Sequence, residues 1–113
     1  MEKLKKIIDT INKTNIKNIK VYETSSITPF YDYAIIATAT SSRQLKATVE
    51  HIKKESAKEN YTIRSVEGVS GGTWVLIDLN DILINVFLSD EREKYALDKM
   101  WSDLPQVKVE EDE

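Results

Sequence analysis

The chain has no cysteine. That removes disulfides, thiol redox chemistry and zinc sites of the cysteine type, and it suits a reducing compartment such as the cytoplasm. A single histidine, His51, stands among 113 residues, so multi-histidine metal centres are excluded and little material is left for a catalytic triad. Positive charge is not in excess: 16 Lys and Arg face 19 Asp and Glu, a formal net charge of −3. Nucleic-acid binding draws on a basic surface that releases counterions from phosphates. A basic protein is therefore the expected direct contact, with little or no contact to nucleic acid. No apolar run reaches the length of a membrane span, and the opening "MEKLKKIIDTINK" has no secretory pattern. Neither an internal repeat nor a linker is visible. These absences lead to one domain over residues 1–105, cytoplasmic and without membrane contact, followed by an acidic disordered tail over 106–113. A domain of this size buries roughly 65% of its unfolded surface, so it needs no metal or disulfide to fold.

What is present has clear periodicity. Leu4, Ile7, Ile8 and Ile11 recur at helical spacing and predict an amphipathic helix from Glu2 to about Ile11. "IKVYET" (Ile19–Thr24) predicts a strand, and "YDYAIIATAT" a second one whose apolar centre, Ala34 to Ala37, reads as covered on both faces. Ser41 and Gln44 have the spacing of a capping box, opening a helix with Leu45, Val49 and Ile52 on its apolar stripe. "YTIRSVEG" predicts a third strand, "GVSGG" a loop, and "GGTWVLIDLNDILINVF" a hairpin of two more. The last helix, "SDEREKYALDKMW", takes Ser89 or Asp90 as its cap and Leu97, Met100 and Trp101 as its inner stripe. The order α-β-β-α-β-β-β-α implies an α/β (α+β) domain, a five-stranded mixed sheet flanked by helices.

A two-residue turn at Asn80–Asp81 is favoured because Asn tolerates the left-handed backbone such turns require. Side chains alternate faces along a strand. One face then carries Val75, Ile77 and Leu79 against Ile82, Ile84, Val86 and Leu88, all aliphatic, which places it under helices. The other carries Trp74, Leu76 and Asp78 against Leu83, Asn85 and Phe87. Trp74, Asp78 and Asn85 converge there. That patch is either a half-covered sheet with an Asp–Asn hydrogen bond at its wet edge, or a protein-binding surface with an aromatic anchor. The pattern alone leaves both open.

The blocks "DYAIIATATSSRQLKA", "VEG", "WVLIDLNDILINVF" and "EREKYALDKMW" together resemble the ribosomal silencing factor (RsfS, or Iojap) family. The resemblance implies a fold related to the nucleotidyltransferase palm. It also implies binding to the large ribosomal subunit through its ribosomal protein fourteen, which blocks subunit joining and lowers translation when nutrients are scarce. Large-subunit biogenesis is the alternative role, and free members are often homodimers. The family tryptophan falls on Trp74, the aspartate of its "WVLIDL" motif on Asp78, the arginine of "SSR" on Arg43 and the tyrosine of the last helix on Tyr95. Two positions depart: Asn80 stands where the family has glycine, and Asn85 where it has histidine. Asparagine still hydrogen-bonds but cannot titrate, which favours a contact role over a catalytic one. The expected partner-binding residues are Trp74, Asp78, Asn85, Phe87, Arg43 and Tyr95, with no catalytic or metal residue and no cofactor.

A competing reading is a Mg²⁺-dependent nucleotidyltransferase, which needs carboxylates clustered on strands. Asp32, Asp78 and Asp81 are the only candidates, no Asp-x-Asp pair exists, and "GVSGG" lacks the lysine of a P-loop. The expectation is a binding protein, not an enzyme.

Overall fold

The computed structural model describes residues 2–109. The first helix, α1 (Glu2–Asn12), buries Leu4, Ile7 and Ile11 as their spacing requires. It is followed by β1 (Lys17–Glu23), β2 (Tyr33–Ala39), α2 (Ser42–Glu59), β3 (Ser65–Glu67), β4 (Trp74–Asp78), β5 (Ile82–Leu88), α3 (Ser89–Tyr95), α4 (Leu97–Met100) and β6 (Gln106–Val107). All strands join one sheet in the order β3-β4-β5-β2-β1-β6. Every pairing is antiparallel except that of β2 with β5. The central strand β2 is buried from Ala34 to Ala39, because both of its faces are covered.

The expected mixed sheet flanked by helices is present, but with six strands instead of five. The Glu23 N–H donates to the Pro105 carbonyl at 2.8 Å, and Val21 and Tyr22 then pair with Val107 and Gln106. The segment assigned to a tail from residue 106 therefore begins as an edge strand. The rest of that tail, 110–113, lies outside the described residues.

Helices α1 and α2 pack on one face of the sheet. Leu4, Ile7 and Ile11 of α1 and Leu45, Val49 and Ile52 of α2 meet Ile35, Val75, Ile77, Ile84 and Val86 in the main core. The cap of α2 works as expected on one side, with Ser41 Oγ accepting from the Gln44 N–H at 3.1 Å. The reciprocal bond differs. Gln44 Oε1 accepts from the Thr40 N–H at 2.6 Å, and Gln44 Nε2 donates to the carbonyls of Thr14 and Asn15. One side chain thus caps the helix and ties its start to the loop between α1 and β1.

The expected last helix is broken. Ala96 adopts a left-handed backbone (φ 53°), separating α3 from α4. Neither Ser89 nor Asp90 caps α3; Leu88 takes that place without a side-chain bond, since β5 runs directly into the helix. Leu97 and Trp101 do pack inward, with Tyr22, Ile36 and Phe87, in a smaller second cluster on the reverse face. Met100, expected beside them, is exposed because the break rotates it out of the stripe.

Arg92 holds the break together. Its Nε and Nη2 donate to both oxygens of Asp98 (2.8 and 3.1 Å). Its Nη1 reaches Thr38 Oγ1 and the carbonyl of Asn18, a left-handed residue where β1 bulges. Tyr22 Oη donates to Asp98 Oδ1 at 2.8 Å. The Arg92 guanidinium, helped by the Tyr22 hydroxyl, holds the Asp98 carboxyl below the usual carboxylate range. Burial, helped by the bond to Asp98, pushes the Tyr22 phenol up to about 12.

Candidate functional site

The turn at Asn80–Asp81 sets the register of the hairpin. Asn80 is left-handed (φ 81°), the Leu79 N–H donates to the Ile82 carbonyl, and Asp78 Oδ1 accepts from the Asn80 N–H at 2.8 Å. Asp78 thus builds its own turn with its side chain. Pairing outward follows as expected: Asp78 with Leu83, Leu76 with Asn85, Trp74 with Phe87.

At the far end of the hairpin three rings meet. Trp74 stacks on Phe87, with centroids 4.8 Å apart and planes at 25°, and packs against Tyr95 of α3 at 4.6 Å. Its Nε1 donates to Asn85 Oδ1 at 3.1 Å. Such aromatic contacts add about 0.5–1.5 kcal/mol beyond their buried area. Trp74 is half-buried and Tyr95 is 46% exposed, whereas Phe87 is 0% and Asn85 1% exposed.

Those burials separate the expected partner-binding residues into exposed and buried ones. Phe87 and Asn85, expected to touch a partner, lie beneath the surface and support Trp74 from below. Asp78 does not join them. It is nearly buried, and its second oxygen accepts from Tyr31 Oη at 2.7 Å. No Asp78–Asn85 hydrogen bond forms among the described residues. Arg43 is exposed in the first turn of α2 and forms no ion pair with the described residues. Its neighbour Ser42 donates to the Gly72 carbonyl at 2.6 Å, so this helix end touches the loop that leads into Trp74. The same loop fixes Gly68 (φ 88°), where a Cβ would lie 2.0 Å from the Trp74 carbonyl oxygen; only glycine fits.

Sequence reasoning missed Tyr31. Its bond to Asp78, and then burial, raise its phenol above the ordinary value. It anchors a loop on which Ile27 and the 71% exposed Phe30 project. The partner is 47 residues away, and no local periodicity announces it.

The carboxylates a metal-dependent enzyme would recruit are dispersed. Asp78 is held as described, Asp81 is bound by Lys3 Nζ at 2.6 Å, and Asp32 is exposed. Among the described residues no three His, Cys, Asp or Glu come together in a metal-ligand group.

Comparison with known proteins gives a consistent result. The sequence model of the family described as "ribosomal silencing factor during starvation" matches residues 1–113. The ribosomal silencing factor RsfS of Halalkalibacterium halodurans is 30% identical over 109 residues, covering 96% of this chain and 93% of that protein. A crystal structure of a Chromobacterium violaceum protein aligns with a TM-score of 0.86 at 29% identity, covering 96% of this chain and 92% of that one. "Mitochondrial assembly of ribosomal large subunit protein 1" of Mus musculus is 26% identical over 101 residues, 85% of this chain and 43% of that longer protein.

Proposed function

Because the chain belongs to the ribosomal silencing factor family, we propose that it docks on the large ribosomal subunit through ribosomal protein fourteen. Once there it keeps the small subunit from joining and lowers translation under nutrient limitation. It acts in the cytoplasm, by occlusion and not by catalysis. The observation that carries this reading is the pair of half-buried Trp74 and exposed Tyr95, seated on a buried Phe87 and flanked by the half-buried Leu76 and Leu83. Aromatic anchors with an apolar surround and a polar rim are what interface centres are made of. Glu67, opposite Leu76 in the register, lies on the same face, and with a net charge of −3 it suits a basic protein. Occlusion needs no reacting group, in keeping with the dispersed carboxylates. The name of the murine relative supports a second role, in large-subunit biogenesis.

Trp74→Ala is expected to abolish co-sedimentation with large subunits while the domain stays folded; undiminished co-sedimentation sinks the reading. Purified ribosomal protein fourteen should capture the chain directly, and capture by ribosomal RNA alone would overturn the choice of partner. The free chain is expected to form a homodimer, and a monomeric mass by light scattering would sink that expectation.

A further inference from the structure

Fold stability does not explain Asn85. The residue is 1% exposed, on a strand, with Ile36 beside it in β2 and Leu76 beside it in β4. Its Oδ1 accepts the Trp74 indole N–H, while its Nδ2 is buried without a hydrogen-bond partner among the described residues. Turning the amide over does not help. An indole N–H is a donor only, so it must meet the oxygen, and the nitrogen is left where it is. A leucine would fill this place among apolar neighbours without stranding a donor. What leucine could not do is hold the indole.

We propose that Asn85 is a positioning residue for docking: it fixes the Trp74 ring, and the stranded amide N–H groups are the consequence. This rests on the docking reading above. Stacking on Phe87 and contact with Tyr95 restrain the plane of the ring but do not by themselves choose which edge faces the sheet. The bond to Asn85 selects one orientation and directs the polar N–H edge into the sheet. A partner then meets the apolar part of an indole that is already in place. Less freedom is lost on binding than with a mobile ring.

The test uses the full-length, ¹⁵N-labelled chain and purified large subunits. Trp74 and Trp101 give two indole N–H resonances, told apart by Trp101→Phe. Asn85→Leu is expected to unfold at no lower denaturant than wild type. It should speed exchange of the Trp74 indole proton and weaken large-subunit binding, each by about tenfold, the scale of one lost hydrogen bond. Asn85→His, whose ring nitrogen can accept the same N–H, should restore both. Trp74→Phe removes the donor, so adding Asn85→Leu to it should have no further effect on binding. If Asn85→Leu does not fold, the His variant must still hold wild-type exchange and affinity, and Trp74→Phe must lose affinity by about tenfold. Wild-type affinity or wild-type indole exchange in a folded Asn85→Leu overturns the inference and leaves docking intact. A wild-type chain that does not bind large subunits overturns the docking reading itself.

Discussion

The two faces of the β4–β5 hairpin are built from the same alternating sequence but held by different forces. Val75, Ile77, Ile84 and Val86 are fully buried beneath α1 and α2, so that face is closed by apolar burial alone. On the reverse, Leu76 and Leu83 are only half-buried, and the cover comes from the broken α3–α4 segment. There the contacts are directional: a ring stack, the indole–amide bond, and the bidentate Arg92–Asp98 pair. Apolar burial is non-directional and supplies stability. Hydrogen bonds and ring contacts add less energy and more orientation, as a docking surface requires.

The comparison can be broken most forcefully from the closed face. Ile84→Ala should cost about 3 kcal/mol in urea unfolding, with affinity for large subunits reduced only by the fraction unfolded. Trp74→Ala should do the reverse, losing about 2 kcal/mol or more of binding and less stability than Ile84→Ala, because its ring is already half in water. Equal stability losses from the two substitutions would show that the faces are not different in kind.

Acid sharpens the contrast. The folded pKa of Asp98 is depressed, so the stability it supplies is present above the ordinary aspartate value, about 4, and is lost as pH falls through the lower folded value. Asp98→Asn should cost roughly 1 kcal/mol at neutral pH and flatten the acid limb of a melting-temperature profile. Tyr22 acts at the opposite limit: its contribution is complete below about 10 and lost as pH rises through about 12. The smallest effect is expected at Ala96, whose left-handed backbone suits glycine better. Ala96→Gly should raise the denaturation midpoint by less than about 1 kcal/mol equivalent.

The hairpin register was legible because two independent signals agree: strict alternation, and an Asn–Asp turn between the strands. Helix α1 and the Ser41 cap were legible for the same reason, as local patterns with local partners. What escaped was decided at a distance. Alanine is the best helix former, so nothing in "KYALD" announces a break at Ala96; the bonds of Asp98 to Arg92 and Tyr22 override that preference. The strand at Gln106–Val107 has two residues and no periodicity, and only β1 beside it makes it a strand. At the site, register placed Trp74, Asp78 and Asn85 on one face, but face alone does not say who bonds to whom. Tyr31 drew Asp78 away, and burial turned Asn85 and Phe87 into supports.

The parallel pairing of β2 with β5 also sets an order of events. Between those two strands the chain must make α2, β3 and β4. As synthesis proceeds, β2 waits with one edge unpaired and its isoleucines uncovered, the state in which chains are most prone to associate wrongly. A chain stopped at Leu79 should therefore be degraded readily in limited proteolysis, and resistance would contradict this order. When β5 arrives, it closes the sheet and at the same moment brings Phe87 and Asn85 under Trp74. A nascent chain has no complete Trp74 patch until its own fold is finished.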